Sequence, residues 1–268
     1  KTAQFRGGNN SNWDETYRSL LGKPVTNIGM PTLRNYAREN GDMWFTSERV
    51  MLFITGALAR VYFHNRNIQA AYNANLDSNG LHQGGLGQGA TYPSNWSSDW
   101  GYNPYLDLDL GIEKGDFTGI FSATIKDPEG ANVSITGIPC FMGLKNFYKY
   151  LWTMTEDELL VCQEDGSQAL YVENLIDGSV FDISGAGTHL LIGKTPVYSS
   201  ANWQYIKKIS FDHLSGMPTE VGATASTYYA DGYYNPNVHE AGALRCAFRL
   251  GYADNGDHAG SLYLVGRN

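Results

Sequence analysis

Charge is thin in this chain, and basic charge thinner still. Only 17% of the 268 residues are charged, 19 Lys and Arg against 27 Asp and Glu, which leaves a net charge of −8. A nucleic-acid partner needs a dense Lys/Arg footprint on phosphate, and scattered basic residues do not supply one, so no nucleic acid is expected. Long apolar runs are missing too. No stretch approaches the roughly 18 consecutive apolar residues of a membrane span, so a soluble chain without membrane insertion is expected. The opening KTAQFRGGNNSNW has neither Met nor an apolar leader, and a start truncated from a longer chain is the expectation. Cysteine is scarce and odd in number: Cys140, Cys162 and Cys246 show no CxxC and no Cys/His ligand spacing. That argues against structural zinc and a disulfide framework and for buried thiols. What the chain has in quantity is aromatics at 13%, with 18 Tyr, and 31 Gly. Disorder goes with high charge and few aromatics, so a folded, loop-rich protein is expected.

Two early segments carry helical spacing. PTLRNYARENG places Pro31 where a first turn tolerates it, Leu33, Tyr36 and Ala37 on one side, and Gly41 at a C-cap. SERVMLFITGALARVYFHNRN starts at a Ser47 cap and repeats Val50, Met51, Ile54, Ala57, Leu58, Val61 and Tyr62 at helical spacing. It predicts a central buried helix with Arg60 and His64 to Arg66 facing out. Beyond residue 75 the pattern turns to short strand-like runs. DFTGIFSATI and GANVSITGIPCFMG face each other across KDPEGA, and ELLVCQ and QALYVE across EDGS. HLLIGKTPVY, YIKKISFD, LRCAFRLGY and SLYLVG follow as further strands. Helices first and antiparallel strands later predict an α+β fold, two N-terminal helices followed by short antiparallel strands and long ordered loops. No repeat or linker marks a boundary, so residues 1–268 are expected to form one domain.

Two polar stretches, NLDSNGLHQGGLGQGATYPSNWSSDWGYNPY and SGMPTEVGATASTYYADGYYNPNVHEAG, run about 30 residues each, longer than plain connections in compact domains. GGLGQG has no Walker spacing and reads as a tight structural turn, and no cofactor is expected. Asp107 and Asp109 alternate in YLDLDLG, which a half-exposed strand explains as well as paired-carboxylate or calcium chemistry does. The six histidines are isolated, no GxSxG elbow is present, and sequons stand at Asn95 and Asn132. The aromatic clusters are more informative. Trp96, Trp100, Tyr102 and Tyr105 crowd one long stretch; Tyr228, Tyr229, Tyr233 and Tyr234 crowd the other. Tyr mixed with Ser, Gly, Asn and Asp is the composition of an adaptable binding surface, although rings that staple a loop to its core give the same pattern.

The segment RCAFRLGYADNGDHAGSLYL resembles the C-terminal signature of C-type-lectin-like proteins of the formylglycine-generating-enzyme type, which include variable proteins of diversity-generating retroelements. Arg249, Gly251, Asn255, Gly256, Ala259, Gly260 and Leu264 fall on matching positions, whereas Leu250, Tyr252 and Ala253 depart from the signature. FITGALARVYFHNRNIQAAYN with GLHQGGLGQG is similar to the central helix and Gly loop of phage-tail and bacterial-surface members, and GIPCFMGLKNFYKYLW to a further segment. The resemblance implies a C-type-lectin-like fold. It also implies display of Tyr252, Asp254, Asp257 and His258 between scaffold glycines, residues that single adenine changes reach from Asn codons. Members continue past this point, so a final strand missing from the chain is expected, and no counterpart of the enzymes' catalytic cysteine pair is seen.

The expected function is therefore a receptor-binding or adhesin module, not an enzyme, on a virion tail or bacterial cell surface. It would bind a host-surface protein or glycan through Tyr228, Tyr229, Tyr233, Tyr234, Tyr252, Asp254, Asn255, Asp257, His258 and Tyr263. Homo-oligomerisation would suit such an assembly and add avidity. The alternatives are an oxidase of the formylglycine-generating type, a carbohydrate-active hydrolase, and a structural virion protein.

Overall fold

The computed structural model describes residues 30–39, 41, 46–72, 118–126, 132–145, 147–148, 152–173, 189–197, 203–235, 240–251, 258 and 260–267. Asp107, Asp109, the GGLGQG turn, the first aromatic cluster and the Asn95 sequon lie outside these residues.

Three helices lead. In α1 (Met30–Arg38) Pro31 occupies the first turn, where its missing N–H costs nothing, and Gly41 at φ 122° donates to the Arg38 carbonyl at 2.8 Å. α2 (Arg49–Tyr62) is followed by α3 (Ile68–Tyr72), whose start is capped by the Asn67 side chain accepting from the N–H groups of Gln69 and Ala70. The strands come next: β1 (Gly119–Lys126), β2 (Asn132–Phe141) and β3 (Leu144–Lys145) form a small antiparallel sheet. The remaining eight are β4 (Thr153–Cys162), β5 (Gln168–Glu173), β6 (His189–Lys194), β7 (Trp203–Ser210), β8 (Met217–Val221), β9 (Gly232–Tyr234), β10 (Leu244–Leu250) and β11 (Gly260–Arg267). They make one sheet in the order β6-β5-β4-β10-β11-β9-β7-β8, antiparallel except where β9 lies parallel to β11.

This sheet curls until its edges almost meet. A Cβ on Gly193 of β6 would stand 3.1 Å from the Met217 methyl of β8, and Leu190 and Ile192 pack on the same interior as Met217. That interior is filled from alternate strand positions: Leu160, Leu170, Val172, Ile206, Tyr233, Ala247, Leu262 and Leu264, with Phe53 of α2 closing it. A second cluster, Ala59, Ile68, Phe141, Phe147, Tyr148 and Leu250, joins α2 and α3 to the small sheet. Among the described residues the fold is mostly β, a nearly closed eight-stranded barrel-like sheet with three short helices, which overturns the expected α+β, C-type-lectin-like arrangement. Part of the reason lies in residues 215–242. That stretch reads as a long loop because Gly and paired Tyr hide its period, yet it carries β8 and β9, with Pro218 tolerated in an edge strand.

α2 is also turned from its expected orientation. It buries Arg49, Phe53, Gly56 and Ala59 and leaves Met51, Ile54, Leu58, Val61 and Tyr62 exposed. Close approach decides this: a Cβ on Gly56 would fall 2.2 Å from Ser261 Oγ, so the sheet meets α2 on its smallest residues. Arg60, expected outside, reaches in. Its guanidinium donates to Asp231 at 2.8 Å, to Ser261 Oγ at 2.7 Å and to the Arg66 carbonyl at 2.8 Å. Ser47 is not the cap of α2; it bridges to Thr155 of β4 instead.

Candidate functional site: an aromatic array on the sheet

On one stretch of the outer face, residues of β7, β9, β10 and β11 that do not point into the barrel are aromatic, and their rings follow one another across the strands. β7 alternates Ile206 inward with Trp203 and Tyr205 outward, and β9 alternates Tyr233 inward with Tyr234 outward. Trp203 and Tyr234 are register partners across an antiparallel pair, and their rings stack with centroids 4.6 Å apart and planes 29° apart. His258 stacks on Tyr205 at 4.5 Å and 10° and leans on Trp203 at 5.4 Å. Beneath Trp203 lies Tyr263, fully buried, with centroids 5.2 Å apart. Trp152 extends the row: its indole N–H donates to the Tyr263 hydroxyl at 3.0 Å, and its ring meets Phe248 at 5.9 Å.

Rings stacked side by side on neighbouring strands stand on edge. Trp203, Tyr205, Tyr234 and His258 are all half-buried, so each keeps part of its ring at the surface, with Tyr263 buried beneath Trp203 as a floor. Such a row offers apolar width together with hydroxyl, imidazole and indole hydrogen-bonding groups, at small entropy cost because the rings hold one another. Backbone space sets the position of His258: a Cβ on Gly232 would lie 2.8 Å from the His258 Cβ and 3.0 Å from its carbonyl oxygen.

No protein family, curated protein or solved structure matches this chain. The lectin-type resemblance therefore rests on its short motifs alone, and within them Arg249 is a buried partner of Glu158 and Leu264 a barrel residue.

The ten residues expected at a binding face separate into five groups. Tyr234 and His258 sit in the array. Tyr228 stands near β7, 44% exposed and in a left-handed backbone conformation, with Lys207 Nζ 5.7 Å from its ring centre. Lys207 and Lys208 both reach Glu220 at 2.5 Å, and the Lys207 hydrogen bond, followed by that of Lys208, holds the Glu220 carboxyl down near about 2. Tyr229 is packed against the core and lies beside two guanidinium groups, Arg60 at 5.3 Å and Arg66 at 5.9 Å. Tyr233 and Tyr263 are 1% and 0% exposed, so their rings support the array from within and present nothing to a ligand. The Tyr233 hydroxyl lies 2.7 Å from Thr195 Oγ1 and 3.0 Å from the Pro196 carbonyl oxygen, and burial pushes its phenol above the usual range. Tyr252, Asp254, Asn255 and Asp257 lie outside the described residues.

Trp152, Trp203, Tyr205 and Phe248 belong to the array and escaped sequence reasoning. ANWQYIKK does signal two rings on one strand face, but only strand order brings them beside Tyr234 and His258. The other features of the described residues are plainer. A shallow cleft of about 400 Å³ between the β4–β5 turn and residues 241–242 is bordered by Gln163 and by the exposed Asp165–Lys194 pair. Cys246 is half-buried, and burial raises its thiol pKa, the opposite of what activates a thiolate. Among the described residues no three His, Cys, Asp or Glu side chains converge as metal ligands, and no helix is long and apolar enough to cross a membrane.

Proposed function

We propose that the protein is a recognition module that binds a neutral, hydroxyl-rich ligand, a surface glycan, through the outer aromatic array. Its role would be that of an adhesin or receptor-binding protein at a virion or cell surface. The observation that carries this reading is the run of stacked, half-buried rings from Tyr205 through His258 and Trp203 to Tyr234. The barrel interior is filled mainly by aliphatic side chains, whereas these rings lie on the outer face and each stays partly exposed.

The test is a glycan-array screen of the folded chain, repeated on Trp203→Ala and Tyr205→Ala. Binding to a subset of glycans that falls at least tenfold in both variants, with unchanged far-UV circular dichroism, supports the reading. Glycan binding that both variants retain, or no glycan binding alongside capture of a protein ligand by the same face, overturns it.

A further inference from the structure

We infer that the outer face of α2 is a self-association surface, on which the α2 of a second copy of this chain packs. The exposed residues Met51, Ile54, Leu58 and Val61 are spaced three, four and three residues apart, the a/d repeat of a helix-pairing seam. Met51 is 59% exposed and Val61 71%. The inward residues Phe53, Gly56 and Arg60 occupy the opposite side of the same helix, so α2 is apolar nearly all round while, among the described residues, the fold packs on only one side of it. A helix apolar on every side is one that ends up buried on every side.

The identity of the occupant follows from charge and area. Between Val50 and Tyr62 the single charged residue is Arg60, and it is turned inward onto Asp231. An identical seam thus meets no like charge when it pairs with itself, although each chain carries a net charge of −8. The flanking position Tyr62 is 61% exposed and touches Phe141 edge-on at 5.8 Å, and Met142 and Leu144 beyond Phe141 are about half exposed. Together with the seam they widen the exposed apolar face from α2 onto the β2–β3 turn, in the direction of the about 800 Å² per partner that a standard interface buries. A two-fold arrangement of one helix against its copy closes on itself and uses this one patch twice.

Sedimentation equilibrium of the whole 268-residue chain between about 1 and 100 µM tests the inference. The expected result is twice the 29.6 kDa chain mass, and a single-chain mass for Leu58→Glu combined with Val61→Glu at unchanged circular dichroism. If that variant does not fold, Leu58→Ala decides: a dimer dissociation constant raised at least tenfold supports the seam, and an unchanged one overturns it. A wild-type chain that stays monomeric at 100 µM overturns it as well. Co-sedimentation of that monomer with neutral phosphatidylcholine vesicles would then reassign the face to a lipid surface. A dimer that persists in the folded Glu variant places the contact elsewhere and equally overturns the seam.

Discussion

Arg249 and Glu158 show what a single residue carries here. Both are nearly fully buried; Arg249 Nε donates to Glu158 Oε2 at 3.0 Å, Nη2 donates to Oε1, and Nη2 also reaches the Ser215 carbonyl at 3.0 Å. A buried pair of this kind adds little over an apolar substitute, but breaking it strands a charge. Arg249→Met is expected to cost about 3–5 kcal/mol in urea unfolding, with much of the loss recovered in the double variant with Glu158→Gln. A smaller matter of space governs the array. Gly232→Ala brings a methyl group to 2.8 Å from the His258 Cβ and 3.0 Å from its carbonyl oxygen, so the expected outcome is a moved His258 imidazole resonance, weakened ligand binding and a stability loss of about 1–3 kcal/mol. An unmoved resonance would show that His258 is not held by that approach.

Between elements, the run Glu156, Asp157 and Glu158 in β4 takes one arginine each from α1, α2 and β10. Arg34 donates to the Glu156 carbonyl at 2.6 Å, and Asp157 Oδ1 accepts from the Arg49 N–H at 2.8 Å, with Oδ2 3.4 Å from Arg49 Nε. Thr46 donates its hydroxyl to Glu156 at 2.7 Å, so the segment leading into α2 is tied to β4 along its length. Burial, reinforced by Glu158 and Glu48 and opposed by Arg49, raises the Asp157 pKa to about 7. Glu48 is raised as well, by burial first and then by Glu173 and Glu156. A carboxyl with a raised pKa holds its proton more tightly folded than unfolded. Its contribution to stability is therefore fullest below the unfolded value of 3.8 and declines as pH rises through about 7. Stability from denaturant midpoints is expected to fall across that window, and Asp157→Asn to flatten the fall; an identical slope in the variant would assign the titration to other groups.

The same elements show what the sequence could and could not disclose. Period-2 runs with turn residues between them were enough to place β1 against β2 and β4 against β5, because those pairs are local. The acidic start of β4 was not legible, since TEDE reads as solvated until its three arginines arrive from residues 34, 49 and 249. Nor was the inward face of α2: apolar spacing selects Met51, Ile54, Leu58 and Val61, and only contact with Ser261 shows that small size at Gly56 outweighs hydrophobicity. In the candidate site, Tyr234 and His258 were within reach of composition, whereas their partners Trp203 and Tyr205 lie about 30 residues upstream of Tyr234 and join it only through strand pairing.

For the whole molecule, sheet order and chain order are decoupled, and this makes one strand decisive. β11, near the C-terminal end of the sequence, lies in the middle of the sheet between β10 and β9, and Leu262, Tyr263, Leu264 and Val265 are all buried. Its removal would leave two separate pieces, β6-β5-β4-β10 and β9-β7-β8, each with a new unpaired edge and half a core. It would also take Ser261 and the Leu262 N–H from the Arg60–Asp231 network that fastens α2. A chain ended at residue 259 is therefore expected to lose its cooperative thermal transition entirely, read by near-ultraviolet circular dichroism. Hydrogen exchange in the intact chain should correspondingly be slowest in β10 and β11 and fastest in the edge strands β6 and β8. The point substitution Leu264→Ala separates strand loss from a trivial truncation effect, since it keeps every backbone bond and should still cost about 2–5 kcal/mol. A truncated chain that unfolds cooperatively at an unchanged midpoint would mean that the two pieces are stable without β11, and that the array it underlies is not held by a single closed sheet.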